Sequence, residues 1–298
     1  MGKLDGRVVI VTGAGRGLGR AHALELAKQG AIVVVNDLGV GVKGEKSDEP
    51  SPAESVVAEI EAMGGVAVTD SSSVADFAAM EALVASTVER FGDLHAVVNN
   101  AGFLRDRVIT SMTEDDFDAV INVHLKGTFC LTRHACVYWK DQHKAGKPVS
   151  GRVVTTTSGA GLLGNMGQTN YASAKAGIAM LTQVVSMEMQ RYGVSVNCVS
   201  PVAATRMLAT VGREASADGG WDALDPANAS PVVAWLCSEE SGWLSGNVLR
   251  IDGNTVKRMI GWKIGDGFTS ASKEALTVDE LGLGLRKLYG VAHTGLMG

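Results

Sequence analysis

The chain has 298 residues, 46% of them hydrophobic, enough to build a large core within one α/β domain. Its net charge of −5 arises from interspersed acids and bases, and no basic stripe marks a nucleic-acid surface. Four cysteines (Cys130, Cys136, Cys198, Cys237) form no C-x-x-C pair and share no ligand spacing with the six histidines. These features point to reduced thiols, no bound metal and a cytoplasmic setting. No apolar run reaches about 18 residues, so no membrane span is expected, and the N-terminus enters a strand without an apolar leader.

Val8 to Thr12 has no polar alternation, as in a parallel strand covered on both faces. A glycine turn follows, TGAGRGLG, with Gly13, Arg16, Gly17 and Leu18 at the start of a periodic helix. Ala31 to Asn36 is the next strand, and Asp37 stands at its end. A strand, a glycine turn, a helix and an acid after the second strand form a dinucleotide-binding unit. The turn lets a pyrophosphate approach free N–H groups at the helix N-terminus. A carboxylate at Asp37 accepts from the ribose hydroxyls and repels a 2′-phosphate, which favours NAD. Arg16 pulls towards NADP, but Asp37 would face that phosphate directly. The alternative for Asp37 is a solvated turn residue.

Leu38 to Pro52 is a long polar loop. Ser55 to Met63 reads as a helix, Val66 to Val68 as a strand, Val74 to Phe91 as a helix and Ala96 to Asn99 as a fourth strand. The TEDD sequence at Thr113 to Asp116 is a capping-box signal, and the helix it opens runs towards Trp139. Gly151 to Thr157, Ser195 to Ser200 and Asn247 to Ile251 are further strands, and a helix ends near Cys237. Strict alternation of strand and helix predicts a single-domain, Rossmann-like, doubly wound parallel sheet over residues 1–254. Residues 255–298 read as a C-terminal helical tail packed on the same domain.

The stretch Val153 to Lys175 carries the chemistry. Ser158 lies at a strand end, thirteen residues before Tyr171, and Tyr171 and Lys175 are four apart, on one helical face. A hydroxyl, a phenol and an ammonium converging on one atom make an acid/base site for a carbonyl or alcohol. The alternative is an ordinary strand–loop–helix with a surface lysine. No G-x-S-x-G elbow supports Ser158 as a nucleophile. Arg105 and Arg107 either steer an acyl-CoA phosphate or form salt bridges at the sheet edge.

Together, T-G-x-x-x-G-x-G at Thr12 to Gly19, N-N-A-G at Asn99 to Gly102 and Y-x-x-x-K at Tyr171 to Lys175 resemble the short-chain dehydrogenase/reductase family. The likeness spans residues 5 to about 254. VVVNDLG (33–39), LRDR (104–107), VHLKG (123–127), GNMGQTNY (164–171) and WLC (235–237) are similar to its (3R)-hydroxyacyl-CoA dehydrogenase subgroup, the dehydrogenase part of peroxisomal multifunctional enzymes of type 2. The resemblance implies an enzyme that moves a hydride between NAD(H) and a secondary alcohol or ketone, here a 3-hydroxyacyl-CoA. A steroid, terpenoid or carrier-linked ketone is the alternative, and a non-catalytic NAD-binding protein a third reading.

By the same resemblance Tyr171 is the general acid/base, with its pKa lowered by Lys175 and the nicotinamide. Lys175 also holds the nicotinamide ribose, and Ser158 binds the substrate oxygen. Asn100, Ala101 and Gly102 border the cofactor, Ser73 and Val74 lie near its adenine, and Pro201, Val202 and Thr205 hold the carboxamide end. His124 stands where many members have Asn. It either passes protons, with a pKa of about 6.5, or bonds a backbone carbonyl. Homodimers or homotetramers are expected, and the partner is a small-molecule substrate, with neither nucleic acid nor membrane.

Overall fold

The computed structural model describes residues 2–39, 51–203, 221–270 and 276–289. They fall into two compact units, Met1–Met259 and Ile260–Gly298. In the first, strands β1 (Val8–Thr12), β2 (Ile32–Asn36), β3 (Val66–Asp70), β4 (Ala96–Asn99), β5 (Gly151–Thr156), β6 (Val194–Val202), β7 (Val248–Asp252) and β8 (Thr255–Met259) form one sheet. Its order is β3-β2-β1-β4-β5-β6-β7-β8. All neighbours are parallel except β7 and β8, which pair as an antiparallel hairpin.

The central strands β1, β4 and β5 are buried at every position, with apolar residues at Val8–Val11, Ala96–Val98 and Val153–Val154 as expected of a sheet covered on both faces. Helices α1 (Gly17–Lys28), α2 (Pro52–Ala62) and α8 (Ser230–Cys237) cover one face, where Leu26, Ile60 and Leu236 pack on Val9 and Val33. Helices α3 (Phe77–Phe91), α5 (Gly127–Lys144) and α7 (Thr169–Met189) cover the other, with Met80, Leu131 and Met189 against Ile10 and Val97. Two short helices complete this unit, α4 (Glu114–Ile121) and α6 (Gly159–Leu163).

Strand order reverses between β1 and β4, so a crevice opens beyond the carboxyl ends of those two strands. In open α/β sheets that is where ligands bind.

Two details depart from the sequence reading. The helix expected to run unbroken from the TEDD cap is α4 followed by a π-helical turn, Asn122–Lys126, and then α5. The cap itself forms as expected: Thr113 accepts from the Asp116 amide and Asp116 from the Thr113 amide. Strand β8 lies beyond the last strand expected. Its residues TVKRM carry two cations and no apolar run, as an exposed edge strand permits.

In the second unit, helix α9 (Val278–Tyr289) is capped reciprocally by Thr277 and Glu280, and Phe268 lies against Gly284, where a side chain would collide with the ring.

Candidate active site

The nucleotide side of the crevice is built from backbone turns. Gly13 has φ of 62° and approaches so closely that a Cβ there would lie 2.7 Å from the Ala101 Cα. The Asn99–Gly102 segment is therefore locked against the glycine turn. Thr12 Oγ1 accepts from the amides of Asn100 and Ala101 at 3.1 and 3.2 Å. Asn100 Nδ2 donates to the carbonyls of Thr12 and Gly13, both at 3.2 Å. Asn100 thus spends its side chain fastening the two turns together.

Asp37 reaches the same turn from β2: one carboxylate oxygen accepts from Gly15 N and the other from Gly39 N, each at 2.8 Å. Arg16 caps α1, whose first helical residues are Gly17 and Leu18. Ser73 and Val74 follow β3, in a turn tied to β2 because Asn36 Nδ2 donates to the Ser72 carbonyl. The Val74 side chain is buried among core residues of α3 and α5. Pro201 and Val202 end β6, opposite Ile251 and Asp252 of β7. Thr205 lies outside the described residues.

On the catalytic side, the structure brings Ser158, Tyr171 and Lys175 together. Ser158 is the N-cap of α6, where its hydroxyl accepts from the Ala160 amide at 3.3 Å and lies near enough to the Tyr171 phenol to lower its pKa. The Lys175 ammonium is 5.6 Å from the Tyr171 ring centroid and donates to the Thr156 carbonyl at 2.7 Å. Lys175 is buried, at 4% exposure, which depresses its pKa to about 8. For Tyr171, burial in the protein alone raises the phenol's pKa. The nearby Ser158 hydroxyl draws it down, and the Asp106 carboxylate pushes it further up. Desolvation of the phenolate here outweighs the neighbouring donor.

His124 sits on the π turn, where an inserted residue re-aims side chains. Its Nε2 lies 2.8 Å from the Phe103 carbonyl oxygen and 3.1 Å from the Phe103 amide, so each tautomer satisfies one of the two. Nδ1 has no partner among the described residues. The imidazole meets Tyr171 edge-on, with centroids 5.2 Å apart. Burial, and then the Lys175 charge, lower its pKa to about 3. A Cβ at Gly102 would come within 2.0 Å of this ring, so Gly102 is bare because His124 fills the space.

Arg105 and Arg107 are spent on Asp115 and Asp116 at the start of α4. That is the salt-bridge alternative, not a free phosphate clamp.

Sequence reasoning passed over Asn170, Gln168 and Asp106. Asn170 is fully buried. Its Nδ2 donates to the carbonyls of Arg105 and Asp116, both at 2.9 Å, and its Oδ1 accepts from the Tyr171 amide at 2.7 Å. It therefore ties the Tyr171 helix to α4 and to the 103–108 loop. Gln168 Nε2 donates to Asp106 at 2.8 Å, and Arg107 bridges to Gln168, closing that loop over the helix start. The polar QTN run before Tyr171 was the available signal. Replacing Asn170 by alanine strands two buried carbonyls and should lower stability by on the order of 3 kcal/mol, read by urea unfolding. A loss below about 0.5 kcal/mol would show that these bonds do not hold the helix.

A sequence model of the short chain dehydrogenase family matches residues 7–216. The chain belongs to the short-chain dehydrogenase family. This dehydrogenase is an oxidoreductase acting on CH–OH groups.

It is 44% identical over 237 residues to the peroxisomal multifunctional enzyme type 2 of Mus musculus, covering 80% of this chain. The aligned part is only 30% of the mouse protein's length. It is 42% identical over 257 residues to the hydroxyacyl-CoA dehydrogenase ChsB1 of Mycobacterium tuberculosis, covering 85% of this chain and 79% of that one. A short chain dehydrogenase from Mycobacterium avium, known from a crystal structure, superposes with a TM-score of 0.87 at 49% identity. That match covers 98% of this dehydrogenase and 97% of the other chain. Among its described residues no helix is long and apolar enough to cross a membrane, and no three metal-ligating side chains cluster.

Proposed function

We propose that this dehydrogenase oxidises a 3-hydroxyacyl-CoA to the 3-ketoacyl thioester with NAD. The observation that carries the reading is the convergence of Ser158, Tyr171 and Lys175 beside a crevice in which Asp37 faces the glycine turn. The substrate class rests on the likeness to proteins named hydroxyacyl-CoA dehydrogenase and peroxisomal multifunctional enzyme.

The residues present suit a dinucleotide: the turn is rich in glycine, Gly13 and Gly17 have positive φ, and the Asp37 carboxylate stands beside it. Gly13, Arg16, Gly17 and Leu18 would hold the pyrophosphate, with Ser73 and Val74 on the adenine side. Asn100, Ala101 and Gly102 would border the ribose, and Pro201, Val202 and Thr205 the carboxamide end. When bound, the nicotinamide supplies the hydride acceptor.

Ser158 orients the substrate oxygen and stabilises charge on it. Tyr171 takes the hydroxyl proton. Lys175 would hold the ribose hydroxyls, and its charge together with that of the oxidised nicotinamide would offset the burial that disfavours the phenolate. His124, kept neutral, braces the Phe103 loop behind Tyr171 and gains no proton.

Asp37 gives the cofactor test. Asp37→Ser should raise kcat/KM for NADP about ten-fold or more and lower it for NAD, since a carboxylate repels a 2′-phosphate. Wild-type preference for NADP would contradict the NAD assignment.

Phe129 on α5 and Met180, Val184 and Met187 on α7 are 40–70% exposed, an apolar area that a second copy would cover. We therefore assign a homodimer or homotetramer; a monomer by light scattering at micromolar concentration refutes it. The four free cysteines support a reducing, cytoplasmic setting, which fractionation of the native cell would check.

A further inference from the structure

Two cations near the catalytic group have no carboxylate to answer them. Arg250 on β7 stands directly opposite Lys257 on β8. Opposed residues of an antiparallel pair project to one face, and like charges there are destabilising. Val248, two residues before Arg250 and so on the same face, packs with Ile178 of α7 and Leu162 of α6. That is the face of Ser158, Tyr171 and Lys175.

The Arg250 guanidinium reaches to Gly159. A Cβ there would lie 2.9 Å from Nη1, which places the guanidinium against this turn. Gly159 follows Ser158 directly, with Cα atoms about 3.8 Å apart, which puts Nη1 within roughly 10 Å of the Ser158 hydroxyl. Among the described residues, no side-chain hydrogen bond or ion pair engages the Arg250 guanidinium or the Lys257 ammonium. Asp252 shares their face, but it is exposed and pairs with neither. Arg105 and Arg107, by contrast, are neutralised by Asp115 and Asp116.

We propose that Arg250 and Lys257 form a subsite for an oxyanion of the substrate. That oxyanion is a phosphate of a thioester carrier or the carboxylate of a free hydroxy acid, and the pair selects charged acyl substrates over neutral ketones. The inference rests on the hydroxyacyl reading for the substrate but not for the anion itself. An incoming oxyanion relieves the repulsion between the two cations and meets a planar fork suited to it. Arg250, nearer Ser158, takes the inner contact, and Lys257 the outer one at the sheet edge.

The test compares wild type with Arg250→Gln and Lys257→Gln on three substrates: 3-hydroxybutyryl-CoA, its uncharged N-acetylcysteamine thioester and 3-hydroxybutyrate. Lys257 is an exposed edge residue, so its variant folds even where the Arg250 variant does not. Arg250→Gln should raise KM about ten-fold or more, and Lys257→Gln about three-fold, for an anionic substrate, with kcat unchanged. Neither should move KM for the uncharged thioester. A rise confined to the CoA ester assigns the pair to carrier phosphate, and a rise confined to the free acid to a carboxylate. Equal shifts on all three, or none, overturn the subsite.

Calorimetric titration of CoA and of acetoacetate, with NAD saturating, reads the site without turnover. About ten-fold weaker binding of either by Arg250→Gln supports it, and unchanged binding of both overturns it. Absent turnover of every hydroxyacyl substrate by the wild type refutes the functional reading, while the titration still decides the subsite.

Discussion

Tyr171→Phe lowers kcat by about 10²–10⁴-fold while leaving cofactor affinity unchanged. The phenyl ring keeps its edge contact with His124 and its place over Lys175, so the pocket retains its shape. What is lost is the hydroxyl beside Ser158 that, on the proposed mechanism, exchanges the proton. The loss belongs in kcat because this interaction changes between ground and transition states. Steady-state kinetics with calorimetry of cofactor binding reads both quantities. A variant within about three-fold of wild-type kcat would mean that the proton leaves by another route.

Acidification from pH 7 to pH 5 destabilises the fold by about 4 kcal/mol through two buried neutral histidines. His22 is fully buried between α1 and α8; its Nδ1 lies 2.9 Å from Ser230 Oγ, and Nε2 has no partner among the described residues. Burial lowers its pKa to about 4, and that of His124 to about 3. Both folded values lie below the ordinary value of about 6.5, so between the two the unfolded chain binds more protons. The stabilisation is therefore complete above about pH 6.5 and is lost as pH falls towards the folded values. Each group contributes about 2 kcal/mol of the change by pH 5. Urea midpoints at the two pH values measure it, and His22→Asn should remove about half of the difference. Equal stability at pH 7 and pH 5 would show that these imidazoles titrate in the fold as they do in the unfolded chain.

The sheet and the nucleotide turn were legible because their signals are local. An unbroken β-branched strand and a glycine turn before a helix are read from a few neighbouring residues, and together with an acid after the next strand they point to one kind of unit. That Tyr171 and Lys175 share one face was legible from spacing, since a helix fixes where residues four apart point, whereas joining Ser158 to them as one site rested on the family resemblance.

What the sequence hid is set by tertiary contact. The π turn at His124 leaves the apolar spacing of Val120, Val123 and Leu125 undisturbed, so periodicity passes over it. Strand β8 is half cationic and would not be read as a strand without β7 beside it. The upward shift at Tyr171 depends on how fully the fold dries the phenol, and a motif does not carry burial. Asn170 sits inside the quoted GNMGQTNY segment, but its role depends on two carbonyls more than fifty residues away in sequence.

The central claim is hydride transfer from a 3-hydroxyacyl thioester to NAD, and the growth of reduced-nicotinamide absorbance tests it most directly. Purified enzyme with NAD and 3-hydroxybutyryl-CoA should produce reduced cofactor in saturable fashion, with kcat/KM higher than with NADP. No growth with any hydroxyacyl-CoA, alongside robust turnover of an uncharged alcohol or ketone, would contradict the account.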